Sequence, residues 1–183
     1  MIWAEIWKLN LSCGAMLRRD GKLEAKGKVY ESSMHGFARD MEHDFVDQTE
    51  DTLVLELCSC PETLVRFPYE FRLVSTFTLE NDTLHHSLTV ENLDSDKLHF
   101  GIGYHPGYTV PFDDQHVATD YELRFSETES PICLNCLPTG LVQKDHYYLP
   151  ANMNALPVDE QLFANDSHCM VNLKSATLGI YEK

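Results

Sequence analysis

Residues 69–90 constrain the fold more than any other stretch. Phe71, Leu73, Ser75, Phe77 and Leu79 alternate with Arg72, Val74, Thr76 and Thr78. Glu80-Asn81-Asp82 supplies a polar turn, and Leu84, His86, Leu88 and Val90 return on one face, opposite His85, Ser87 and Thr89. A two-residue period belongs to a strand with one face covered, and two such runs across a short turn make an antiparallel hairpin. A hairpin needs further strands or a second layer to bury its apolar face, so the rest of the chain must supply them.

The remaining grammar is that of strands too. Residues 24–30 read as a hairpin around Gly27. Phe45 and Val46 begin a strand, 48–51 turn, and 52–60 return as a strand whose Leu53, Val54, Leu55 and Leu57 read as core. Pro61 opens a loop, and Asn92-Leu93-Asp94-Ser95-Asp96 turns again before 98–108. Further short strands are expected at 120–125, 141–149, 168–173 and 177–181. Trp3, Ile6, Trp7 and Leu11 sketch a weak helical stripe in an atypical N-terminal segment, 1–17. With no linker composition and no internal repeat, 18–183 is expected to be one all-β antiparallel sandwich domain.

The 29 acidic and 14 basic residues give a net charge of −15, which opposes nucleic acid or an anionic membrane as partner. No run of about 18 apolar residues occurs, so no transmembrane helix is expected. The first residues lack the basic start and apolar stretch of a signal peptide, and a cytoplasmic location is expected. Of six cysteines, Cys58 and Cys60 form a C-x-C, and Cys133 and Cys136 a C-x-x-C. Their apolar neighbours favour buried structural thiols over a metal site or redox chemistry.

Chemistry is concentrated in Gly101-Ile102-Gly103-Tyr104-His105-Pro106-Gly107-Tyr108. The glycines allow close backbone approach, the proline ends a ladder, and an imidazole there can give or take a proton near neutral pH. On local features alone His105 reads as a structural histidine as readily as a chemical one. In His35-Gly36-Phe37-Ala38-Arg39, the guanidinium offers a fork of donors, or else pairs with Asp40 or Glu42. Asp166 either accepts hydrogen bonds from hydroxyls or closes an Asx-turn. His85 and His86 read as cross-strand neighbours. His43, His99, His116, His146 and His168 carry no supporting context.

Taken in order, the His-Gly-Phe-Ala-Arg motif at 35–39, Phe67-Pro68-Tyr69-Glu70-Phe71, Val90-Glu91-Asn92, the 103–108 motif and Tyr121-Glu122-Leu123-Arg124-Phe125 resemble the aldose 1-epimerase (galactose mutarotase-like) family. The resemblance covers about residues 18–183. It implies an antiparallel β-supersandwich with a sugar cleft across one sheet, acting on free hexoses of galactose or glucose type without metal or organic cofactor. It implies that His105 protonates the ring oxygen while a glutamate takes the anomeric proton, opening the ring so that closure gives the other anomer. His35 would stabilise the developing charge or bind hydroxyls, and Arg39, Asp166 and Tyr104 would contact the substrate.

The family's catalytic glutamate lies in a C-terminal Glu-Pro-Trp-like segment that these 183 residues do not contain, and Glu182 lacks that context. Ser12–Leu17 stands where the family has a Phe-Pro-x-x-Gly-Arg-like stretch. The expectation is therefore an incomplete supersandwich, truncated at both ends, impaired for want of the base and able to self-associate through open sheet edges. The alternatives are a non-catalytic carbohydrate-binding sandwich, a structural interaction module, and, more weakly, a cupin-type metal site.

Overall fold

The computed structural model describes residues 17–18, 21–31, 36–102, 108–135, 143–160, 162 and 168–183. The chain divides into a compact unit that ends at Pro106 and another that begins at Gly107.

The first unit opens with β1 (Leu17–Arg18), β2 (Lys22–Ala25) and β3 (Lys28–Glu31), a three-stranded antiparallel sheet in that order. Lys26 and Gly27 form the two-residue turn of its second hairpin, both with positive φ, +48° and +72°. This pairing of left-handed residues matches the twist of the flanking strands. Four longer strands follow: β4 (Asp44–Gln48), β5 (Thr52–Cys58), β6 (Phe71–Glu80) and β7 (Thr83–Asn92), each antiparallel to its neighbour in the order β4-β5-β6-β7.

Register explains which residues are buried. Leu57, Leu73 and Val90 lie abreast on one face, followed by Leu55, Ser75 and Leu88, then Leu53, Phe77 and His86, and finally Leu79 opposite Leu84. Phe71 and Leu73 are fully buried, and a group of aromatic rings covers that end of the sheet. Phe67 lies 5.8 Å from Phe71 in an edge-on contact and 5.1 Å from Tyr69, and Phe37 lies 6.0 Å from both Phe67 and Phe71. Such tilted and edge-on pairs suit the ring quadrupoles. The same apolar face then runs out into solvent: Leu79 is 56% and Leu84 54% exposed.

The strands expected in residues 24–30, 45–60 and 69–90 are present, with three differences. Pro61 opens a single helical turn, α1 (Pro61–Leu64), because Thr63 Oγ1 accepts the Cys60 N–H and donates to the Cys60 carbonyl, tying off its start. Leu53, Val54 and Leu55 are half-buried, and only Leu57 of that run is core. Residues 97–100 have no ladder partner and Gly101 makes an isolated bridge, so the approach to the 101–108 motif is irregular backbone.

In the second unit a 3-10 turn, Ala118–Asp120, leads into β8 (Tyr121–Glu129). There follow β9 (Ile132–Leu134), β10 (His146–Tyr148), β11 (Met153–Pro157), β12 (Cys169–Val171) and β13 (Leu178–Glu182). They form two antiparallel sheets, β11-β8-β13 and β10-β9-β12. Sequence patterning missed β9 and β11, which are short and owe their place to partners more than to alternation. One core gathers Val110, Tyr121 and Val158, and the other Phe125, Met153 and Leu156 with Leu162 and Met170 packed against them. Glu129, 1% exposed, accepts three hydrogen bonds: from the Lys174 N–H at 2.8 Å, the Ser175 N–H at 2.6 Å and the Ser175 hydroxyl at 2.6 Å. These hold its carboxyl below the usual range although burial pushes the other way.

Candidate functional site

The 36–39 turn shows why that motif has its composition. Gly36 has φ +70°, a conformation that costs an L-residue about 1 kcal/mol or more. Phe37 and Ala38, 4% and 0% exposed, are set into the core. The Asp40 N–H donates to the Phe37 carbonyl at 2.9 Å and closes the 3-10 turn Ala38–Asp40. His43 Nε2 donates to the Ala38 carbonyl at 3.0 Å from the other side. The turn is thus fixed at its glycine, its two buried residues and its carbonyl, and Arg39 projects from it half-exposed. Arg39 Nε donates to Asp40 Oδ1 at 3.1 Å, the local ion pair that was the alternative reading of this residue.

His35, Tyr104, His105 and Asp166 lie outside the described residues, so Arg39 is the one sequence-derived site residue whose surroundings the structure gives. The flanks of the other segments are defined. Downstream of His105, Val110 is 1% exposed and packs with Tyr121 and Val158, and the Val110–Pro111 peptide is cis. On either side of Asp166, Leu162 and His168 are both held by hydrogen bonds.

Several polar groups are accounted for structurally. His86 stacks on Phe77 across the hairpin, 4.0 Å between centroids, and burial lowers its pKa, in line with a cross-strand neighbour. Glu182 Oε1 lies 3.3 Å from His116 Nε2, and its carbonyl accepts from Arg124 Nη2 at 3.2 Å. Arg72 bridges strands, with Nε donating to Glu56 at 2.6 Å and Nη1 to Glu91 at 3.3 Å. Cys58, Cys60 and Cys169 are half-buried free thiols and Cys133 is fully buried; burial pushes the Cys58 and Cys133 thiols up. Among the described residues no three His, Cys, Asp or Glu side chains gather as a metal site, and no helix is long and apolar enough to cross a membrane.

Two histidines that sequence reasoning passed over matter locally. His43 supports the Arg39 turn, and His168 bonds both Tyr147 and Leu162. Neither sits in a period or motif; their partners are a backbone carbonyl or a residue 21 positions away, which no local pattern exposes.

Antiparallel sheets almost without helix among the described residues match the architecture of galactose mutarotase-like sandwiches. The galactose mutarotase related enzyme of Lactobacillus acidophilus superposes with a TM-score of 0.82 over 90% of this chain and 55% of its own, at 21% identity. A galactose mutarotase-like protein from Lactobacillus casei does so with a TM-score of 0.75 over 88% of this chain and 56% of its own, at 27% identity. The aldose 1-epimerase family model matches residues 19–167, and the chain belongs to that family. The plasmid and chromosomal LacX proteins of Lactococcus lactis subsp. lactis are each 30% identical over 147 residues, 79% of this chain and 49% of theirs. The chain spans about half the length of these curated relatives.

Proposed function

We propose that this chain is an aldose 1-epimerase-like protein whose ligand is a free hexose of galactose or glucose type. His105 is the general acid at the ring oxygen. His35 stabilises the charge that develops there, and Arg39, Asp166 and Tyr104 hydrogen-bond the hydroxyls. Ring opening also needs a base at the anomeric hydroxyl, and no glutamate of the 183 is assigned that role. A positioned proton-transfer group contributes about 10²–10⁴-fold, so the reaction depends on the base as well as on His105. The second reading is carbohydrate binding without turnover.

The observation that carries the proposal is the family match over residues 19–167, which contains both histidine motifs in order. The Gly36–Arg39 turn supports it, because an arginine on a turn fixed by a positive φ, two buried side chains and two bonds to main-chain carbonyls is suited to a fixed hydroxyl contact. Polarimetry with freshly dissolved α-galactose or α-glucose tests it. Mutarotation faster than the spontaneous rate, lost in His105→Ala, establishes catalysis. Saturable hexose binding without acceleration selects the second reading. Neither turnover nor binding overturns both.

A further inference from the structure

We propose that the outer face of β8 and β13 carries a binding groove for a pyranoside, with Tyr181 as its aromatic wall and Arg124 as its hydrogen-bonding fork. Register brings the parts together. Arg124 lies opposite Gly179 and Glu122 opposite Tyr181, while the Ser126 N–H donates to the Thr177 carbonyl. Residues two apart on a strand share a face, so Glu122, Arg124 and Ser126 stand on one side of β8 with Gly179 and Tyr181 beside them. The alternate residues Tyr121 and Phe125 are buried on the other side. On the outer side a groove of about 390 Å³ is bordered by Arg124, Ser126, Thr177, Gly179 and Tyr181. Small-ligand sites typically enclose about 300–1,000 Å³.

Gly179 shapes the groove. A Cβ there would stand 2.6 Å from Tyr181 Cε2 and 3.1 Å from its Cζ and Oη. The phenol therefore lies back along the strand over residue 179, and half of Tyr181 stays exposed. Arg124 is held beside it. Its Cζ lies 5.0 Å from the ring centroid, Nε donates to Glu122 at 2.5 Å and Nη2 donates to the Glu182 carbonyl at 3.2 Å. Two of the three guanidinium nitrogens are thus fixed, which orients Nη1 without consuming it.

Charge decides the ligand class. Glu122 neutralises Arg124 at contact distance, in a chain of net charge −15, so a phosphate or carboxylate meets no favourable field here. Ser126 and Thr177 add hydroxyls that can both donate and accept. An exposed aromatic ring, an oriented N–H donor and two hydroxyls suit a neutral molecule with apolar C–H faces and many hydroxyl groups, which is a pyranoside. None of these residues takes part in the ring opening proposed above, so the groove accepts glycosides whose anomeric carbon is blocked.

Amide NMR of the full chain tests the proposal at the groove itself, through the resonances of Arg124, Ser126 and Gly179. The probes are methyl β-galactopyranoside and methyl β-glucopyranoside, which cannot mutarotate, and inorganic phosphate as the anion. Saturable shifts at these amides with a glycoside, and none with phosphate, are expected. Tyr181→Ala should weaken that binding about tenfold, and Tyr181→Phe, which keeps the ring, should stay near wild type. Gly179→Ala should weaken it as much as Tyr181→Ala, because the added methyl group drives the ring from its place while every polar group remains. Thermal melts identify the folded variants. Three results overturn the proposal: no saturable shift at the three amides with either glycoside, shifts with phosphate alone, or wild-type glycoside affinity in folded Tyr181→Ala. Because the probes cannot open, the outcome does not depend on whether the chain catalyses mutarotation.

Discussion

Lys26 and Asp94 stand 68 residues apart, yet the ammonium of one donates to both carboxylate oxygens of the other at 2.9 and 2.8 Å. The same Lys26 Nζ lies 4.9 Å from the centroid of Tyr69, and Asp94 also accepts the N–H groups of Glu70 and Asp96. One carboxylate thus ties the turn of the β2–β3 hairpin to the segments before β6 and after β7. The lysine bond, ahead of the two backbone bonds, lowers the Asp94 pKa to about 2.

The consequence for stability has a definite sign. Asp94 has a lower pKa folded than unfolded, so its contribution is fully present above the unfolded value of about 3.9 and is lost as pH falls through about 2. Lys26→Met should lower Tm at pH 6, and thermal melts should show the gap from wild type narrowing as pH drops from 4 toward 2. A gap independent of pH would show that the ion pair is not what Lys26 contributes.

His116 makes the opposite prediction. Its Nδ1 lies 2.7 Å from Asp113 and its Nε2 3.3 Å from Glu182, and the Asp113 bond chiefly raises its pKa. A raised histidine stabilises fully below the unfolded value of about 6.5, and the effect is lost as pH rises through the folded value. His116→Ala should therefore cost more Tm at pH 5.5 than at pH 9. The residual difference at high pH contains the neutral ring's bond to Asp113 and its edge-on contact with Tyr121, 6.1 Å between centroids.

Glu129 offers a local test. Glu129→Gln removes the negative charge from a buried group whose Oε1 receives three hydrogen bonds, which weakens them and should loosen the turn before β13. Hydrogen exchange at the Lys174 and Ser175 amides should accelerate, with a lower Tm at pH 7. Wild-type protein should show the same acceleration on acidification, setting in only below the ordinary glutamate range because the Ser175 and Lys174 bonds hold the folded carboxyl down.

The β6–β7 hairpin provides an internal control for burial. Phe71 and Leu79 point to the same face, but the first is 0% and the second 56% exposed. Phe71→Ala should cost about 3–5 kcal/mol in denaturant unfolding. Leu79→Ala should stay within about 0.5 kcal/mol.

These contrasts locate what the sequence could reveal. Alternation identified β6 and β7 and their shared face because a two-residue period survives without knowledge of the partner strand. It could not tell that the face is covered at Leu73 and bare at Leu84, since coverage depends on Phe37 and Phe67 arriving from elsewhere in the chain. β9, three residues long, has no room for a period. The Arg39 motif was legible because glycine, a buried aromatic and alanine each answer a backbone or packing demand of one tight turn. The roles of His43 and His168 were not, because each depends on a main-chain carbonyl that every residue possesses.

Gly36 carries no functional atom, yet its positive φ governs how the chain enters the turn that bears Arg39. In a random library sorted for the proposed hexose binding, this position should tolerate replacement as poorly as Arg39 itself. A genetic screen would then count Gly36 with Arg39, and the reason would be the backbone geometry of the turn.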